Sequence, residues 1–234
     1  MPISKDSPIL KVNFTGASST GKSTISEYCA KLYGEPNVPE RMRDLMIERG
    51  MVIADITNDL FIDAAKLQEE DMQVKQMQAK RYLFIDSGPL VFYLGNKYSF
   101  GRDFLKLKEM ALDFYKEQDV VFVCDNNIPF DAKEMRGDEG TKDILQKEII
   151  KFLDDNSIKY TMIYGTVEER AQMVKTKLES LDKAQNQLSL DLVNSSSLKQ
   201  EISVSEDRKK MSENIHGANL LYMFVKEQTR QRRR

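Results

Sequence analysis

The sequence predicts a three-layer α/β fold, with a parallel sheet of about five strands covered by helices and a helical C-terminal extension after it. Three observations predict it. Short apolar runs alternate with longer stretches of helical spacing along the first 170 residues. The run Val120 to Asp125 is almost continuously apolar, as strands buried on both faces are. A glycine-containing loop at 16–24 joins an apolar strand to a helical pattern. With 234 residues, 41% hydrophobic and 31% charged, the chain is long enough for one sizeable core or a core with a small appendage.

The elements follow in order. Ile9 to Phe14 is apolar and β-favouring. Ile25, Tyr28, Cys29 and Leu32 stand at helical spacing, so a helix follows the loop and reaches Tyr33. Asn37-Val38-Pro39-Glu40 is a brief extended piece, Arg41 to Arg49 a helical one, and Ile56 to Lys80 a long polar helix. Tyr82 to Asp86 reads as a buried strand, and the turn Ser87-Gly88-Pro89 leads into another helix. Arg102 to Gln118 is helical, and Asn126 to Gly140 is a charged loop after the fourth strand. Thr141 to Asn156 is amphipathic, with Thr141 placed to cap it. Tyr160 to Tyr164 is the fifth strand, and Val167 opens the next helix. Residues 1–170 are expected to form the α/β domain, and 171–234 a polar helical extension with a basic end, Arg230 and Arg232 to Arg234.

Charge and composition narrow the function. A net charge of −2 gives no overall basic field to attract nucleic acid. Ser195 to Arg234 nevertheless holds nine Lys/Arg against five Asp/Glu, either a solvated end or a grip on DNA. Cys29 and Cys124 lack ligand or disulfide spacing and read as small buried hydrophobes in a reducing compartment. No apolar run approaches the roughly 20 residues of a membrane span, and the first residues lack a signal-peptide layout. A soluble, cytoplasmic protein with no membrane partner is expected, with self-association into a homo-oligomer left open. His216 is the only histidine, which argues against His-based hydrolysis and His-rich metal sites.

Residues 16–24 satisfy G-x-x-x-x-G-K-[ST] in full. In this setting the backbone N–H groups of Gly16, Ser18, Ser19, Thr20, Gly21 and Thr24 would cradle a triphosphate at a helix N-terminus. Lys22 would reach the β- and γ-phosphates and Ser23 would help hold Mg²⁺. No Asn-Lys-x-Asp guanine-reading motif occurs, which favours ATP. Asp86 closes the third strand at the edge where open α/β sheets bind ligands, so it either joins Ser23 at Mg²⁺ or caps the next helix. Glu40, at the same edge, is placed to accept the proton of an attacking hydroxyl. Arg43 either contacts substrate or pairs with Glu40. Arg136, in the charged loop, either closes over the phosphates or lies solvated; Lys133 and Arg102 are weaker candidates for that work. Phe92, Tyr93, Tyr98 and Phe100 either stack on a planar ring or fill the core.

These pieces occur together in one group. Gly16 to Thr24, Val38-Pro39-Glu40-x-x-Arg43, Phe84-Ile85-Asp86 and Tyr98-x-Phe100-Gly101 come first. Asp125-x-x-Ile128-Pro129-x-Asp131 with Arg136, and Ile163-Tyr164-Gly165 leading to Glu169-Arg170, complete the order. The ensemble resembles the NadR-like P-loop kinases, named for the ribosylnicotinamide kinase domain of bacterial NAD-biosynthesis regulators, over roughly residues 9–172. The resemblance implies a nucleoside-kinase-like fold, ATP with Mg²⁺, and phosphorylation of a sugar-type hydroxyl. It puts a carboxylate base at Glu40 and a lid arginine at Arg136. Asp86 is followed by Ser-Gly-Pro, where a second acidic residue is expected in that group. No partner adenylyltransferase domain is expected within these 234 residues, since one histidine cannot supply His-x-Gly-His. Phage-encoded kinases of hydroxymethylated DNA bases use a related architecture.

Three readings therefore stand: a kinase acting on a small nucleoside-like acceptor, with nicotinamide riboside the leading candidate; a kinase whose acceptor is a modified base within DNA; and a nucleotide-dependent switch. Glu40 and Arg136 favour the kinases.

Overall fold

The computed structural model describes residues 8–126, 139–185 and 187. The chain divides into two compact units, Met1–Thr176 and Lys177–Arg234. In the second unit the described residues 177–185 are helical. Lys133, Arg136, His216 and Arg230 to Arg234 lie outside the described residues.

The first unit runs β1 (Leu10–Thr15), α1 (Lys22–Tyr33), β2 (Asn37–Val38), α2 (Met42–Glu48), a 3-10 turn (Ile53–Asp55) and α3 (Asn58–Gln76). It continues with β3 (Tyr82–Asp86), α4 (Pro89–Phe100), α5 (Leu105–Lys116), β4 (Val120–Cys124), α6 (Glu139–Asp155) and β5 (Thr161–Ile163). A last helix, α7, opens at residue 167. The five strands form one sheet in the order β2-β3-β1-β4-β5, with every pairing parallel.

Side-chain alternation builds the layers. Phe14, Phe84 and Phe122 share one sheet face, with ring centroids 6.2 and 5.5 Å apart, and Tyr33 of α1 tilts onto Phe84 at 5.6 Å. On the opposite face Val121 and Val123 pack into a cluster fed by α2 to α6. Leu83 and Ile85 meet Met72 of α3 there, beside Phe114 of α5. Both faces are covered, which is why β3 and β4 carry no exposed residue. Cys29 and Cys124 are buried free thiols.

Local chemistry sets the ends. Pro39 has no N–H to give the ladder, so β2 stops at Val38 and Glu40 lies just beyond it. The long polar stretch Ile56 to Lys80 resolves into α3 alone, which starts at Asn58 because the Thr57 hydroxyl caps it by accepting from the Leu60 N–H at 3.2 Å. The expectation for Thr141 needs correction. Helix α6 opens at Glu139, so Thr141 stands inside its first turn rather than at its cap.

Candidate functional site

The sheet order fixes the site. With β1 central, the loop that leaves it at 16–21 emerges between the ends of β3 and β4. Phe14 stands in register with Asp86, and Thr15 with Val123. The loop then turns directly into α1, whose N-terminal cap is Gly21 in a left-handed conformation at φ 79°.

The loop is held from several sides. The Lys22 ammonium donates to the Ala17 carbonyl at 2.7 Å, and the Thr20 hydroxyl donates to the same oxygen at 2.9 Å. The Ala17 N–H donates to the Gln146 carboxamide oxygen at 2.9 Å, while the Gln146 amide donates to the Cys124 carbonyl at 3.0 Å. The Arg170 guanidinium donates to the Thr20 carbonyl at 2.6 Å. A glycine is required at the start of the loop, because a Cβ on Gly16, at φ 145°, would stand 2.9 Å from both the Cys124 carbonyl and the Thr20 hydroxyl. Ser18, Ser19, Ser23 and Thr24 remain at least partly accessible.

Asp86 ends β3 beside this loop and is only 4% exposed. Its carboxylate is hydrogen-bonded to the Ser23 and Ser87 hydroxyls, and the Lys22 charge acts on it. Burial outweighs these partners and raises its pKa. Helix α4 is capped at Gly88 with no side-chain bond, and Pro89 takes its first position, so Asp86 is not a helix cap. The turn after it is strained and braced. Ser87 sits at φ 61°, with its N–H on the Phe14 carbonyl and its own carbonyl accepting from the buried Asn13 amide at 2.5 Å. From behind, the Gln68 amide donates to the Asp86 carbonyl at 2.7 Å.

Glu40 is half-buried, and one carboxylate oxygen accepts from the Met42 N–H at 2.5 Å. Its pKa is pushed up to about 6, first by burial and then by the Asp86 charge, against the Met42 bond and the charges of Lys22 and Arg43. Arg43 is exposed and makes no ion pair with Glu40. The structure thus brings Lys22, Ser23, Asp86 and Glu40 together and leaves Arg43 at the periphery.

A cavity of about 630 Å³ opens beside the loop. Gly16 to Ser18, Lys22 and Glu40 line its polar end, and Phe61, Phe92, Tyr98 and Phe100 are among its apolar walls. The aromatic cluster divides between core and cavity. Phe92 and Tyr93 are buried in the core, and Phe92, Tyr98 and Phe100 still face the cavity. Arg102 is drawn into this wall rather than to the phosphate loop, donating to the Ile56 carbonyl at 2.8 Å with its guanidinium 5.3 Å from the Phe100 ring centre.

Sequence reasoning missed Gln146, Asn13 and Gln68. The one trace of Gln146 is an amide among the apolar positions of α6, and of Asn13 a polar residue inside an apolar strand.

The profile of the AAA_28 family, described as an AAA domain, matches residues 11–170. The chain belongs to this family. Among solved structures, this AAA-domain chain is similar to the NadR protein in complex with NR, with a TM-score of 0.57 and 16% identity over 70% of this chain and 49% of that one. It is equally similar to the NadR protein in complex with NAD and AMP-PNP, at 0.55 and 18% over 70% and 47%. The chain therefore spans about half the length of the NadR chains it matches. A deoxyadenosine kinase from M. mycoides follows, at 0.53 and 17% over 73% of this chain and all of that one. A thymidylate kinase from Ehrlichia chaffeensis gives 0.52 and 16% over 74% and all of that chain. At such identities the likeness is one of fold, and the fold is that of the P-loop kinases. No curated protein sequence matches the chain.

Proposed function

We propose that the protein is an ATP-dependent kinase that transfers the γ-phosphoryl group to a hydroxyl of a nucleoside or nucleotide-like acceptor, with nicotinamide riboside the leading small-molecule candidate. The observation that supports this reading most is the shared cavity. The phosphate loop and Lys22 stand at one end with the Glu40 carboxylate, and an apolar, aromatic wall faces them. A switch that only hydrolyses ATP has no need of such an acceptor chamber beside its phosphate loop.

The donor set fits Mg²⁺. Ser23 and Asp86 offer a hydroxyl and a carboxylate in mutual contact, which suits an ion that keeps most of its ligands as water and phosphate oxygens. Among the described residues no cluster of three or more His, Cys, Asp or Glu side chains forms a closed cage for a transition metal. Mg²⁺ held there would neutralise charge on the triphosphate.

The chain's own residues do the rest. The loop amides and the N-terminus of α1 bind and orient the phosphates. Lys22 follows the charge that develops on the transferring group. Glu40, with its proton affinity raised toward neutrality, accepts the hydroxyl proton as the acceptor oxygen attacks in line. Phe92, Tyr98 and Phe100 provide flat surfaces for a planar ring. Arg136 is proposed to close over the phosphates.

The test is a transfer screen with labelled ATP and Mg²⁺ against separate panels of nucleosides, nucleotides and DNA carrying hydroxymethylated bases. Label on a nucleoside or nucleotide is the expected result. Label on DNA alone would transfer the assignment to the modified-base kinases. Label released only as free phosphate, at a rate that no acceptor changes, would overturn the kinase.

A further inference from the structure

Arg170 is an unusual cation. It lies in the first turn of α7, its side chain is almost wholly buried at 2% exposure, and no carboxylate among the described residues faces it. Its partners are three backbone carbonyls from three separate segments. Nη1 donates to Thr20 of the phosphate loop at 2.6 Å, Nε to Gly165 after β5 at 3.0 Å, and Nη2 reaches Asp125 after β4 at 3.5 Å. It also hydrogen-bonds the buried Cys124 thiol beneath Gly16. A guanidinium taken from water without a counter-ion is costly, and such a group persists where its charge is used.

We propose that Arg170 is the positioning residue of the nucleotide site: a fixed cation behind the phosphate loop whose counter-charge is the β- and γ-phosphates of bound ATP. Two effects act together. The bond to the Thr20 carbonyl polarises the peptide that joins Thr20 to Gly21, so the Gly21 N–H becomes a stronger donor toward a phosphate on its other side. The planar fork also ties the phosphate loop to the turns after β4 and β5. Those turns leave the same sheet edge as the loop, so the loop enters the complex already in its binding shape. Gln146 performs the matching task at the start of the loop through a neutral amide, whereas Arg170 does it with a buried cation. Arg170 touches neither acceptor nor reacting atoms in this scheme, so its effect falls on nucleotide binding rather than on the transfer step.

The inference rests on the reading of residues 16–24 as a nucleotide site, and not on the identity of the acceptor. The experiment measures ATP and ADP affinity directly, by calorimetry with Mg²⁺, on the full chain and on Arg170→Met and Arg170→Lys. Each variant is studied well below its own melting temperature. Arg170→Met is expected to weaken ATP and ADP binding by about 10- to 100-fold, the range of a charge-assisted hydrogen bond. Arg170→Lys keeps the charge but cannot span three carbonyls, and is expected to recover part of that loss. In turnover, KM for ATP should rise in both variants while kcat stays within about threefold. A variant that melts earlier yet binds ATP as tightly as the wild type would show a purely structural role and overturn the inference. Should Arg170→Met not fold, Arg170→Gln, which keeps a donor for the Thr20 carbonyl without the charge, takes its place, and an unchanged ATP affinity there would overturn the inference equally. Wild-type protein that binds neither nucleotide would overturn the phosphate-loop reading and this inference with it.

Discussion

The side-chain amide of Gln146 accepts from the Ala17 N–H at 2.9 Å and donates to the Cys124 carbonyl at 3.0 Å. One buried residue of α6 thereby fastens the start of the phosphate loop to the end of the neighbouring strand. Removing it leaves a buried N–H and a buried carbonyl without partners. Gln146→Leu is expected to cost about 1–3 kcal/mol of stability and to weaken ATP binding several-fold. Gln146→Glu keeps the acceptor for Ala17 and should retain more of the ATP affinity. Urea denaturation and ATP titration of the two variants check this pair of effects.

Glu40 gives a pH signature of known sign. Its folded-state pKa, about 6, lies above the ordinary value of 4.5, so the folded protein holds this proton more tightly than the unfolded chain. The resulting stability is present in full below pH 4.5 and is lost as pH rises through 6. Glu40→Gln should therefore be more stable than the wild type at neutral pH in nucleotide-free buffer, by about 1–2 kcal/mol, with the gain vanishing in acid. In its proposed role as base, Glu40 acts only when ionised. Wild-type transfer should fall as pH drops below about 6, and Glu40→Gln should slow transfer by about 10²- to 10⁴-fold with ATP binding nearly intact. Unchanged transfer in this variant would move the base elsewhere.

Asp86 couples the strand end to Ser23. Asp86→Asn keeps the size and the hydrogen bonds but removes the charge, so the Mg²⁺ concentration for half-maximal rate should rise at least about tenfold. A magnesium titration at fixed ATP decides it. An unchanged midpoint would assign Asp86 to structure alone.

Under the proposed function the aromatic wall of the cavity serves the acceptor rather than ATP. Phe100→Ala should raise KM for the acceptor by about 3- to 30-fold while KM for ATP stays near its wild-type value. Equal rises in both constants would mean that the wall shapes the whole site rather than the acceptor end.

Much of this was legible in the sequence, and for local reasons. The strand–loop–helix context of Gly16 to Thr24 depends on neighbours within a dozen residues, so hydrophobic period and glycine placement reveal it. Strands β3 and β4 were the most legible, because a strand buried on both faces is apolar almost throughout. Element ends followed local chemistry as well, with Pro39 stopping strand β2 and Thr57 starting helix α3. Glu40 and Asp86 stood out because each closes an extended piece with a charge.

What only the tertiary structure decided is which distant residues meet. The order β2-β3-β1-β4-β5 sets Asp86 beside Phe14 and Cys124 beneath Gly16, and no local pattern specifies a strand order. Asp86 was free by sequence to cap a helix; α4 is capped at Gly88 instead, and Asp86 stands beside the phosphate loop. Gln146 and Arg170, 129 and 150 residues away from the loop atoms they bond, are ordinary polar residues in sequence. They acquire a role because burial removes water as an alternative partner, leaving a backbone group of the loop as the group that satisfies them.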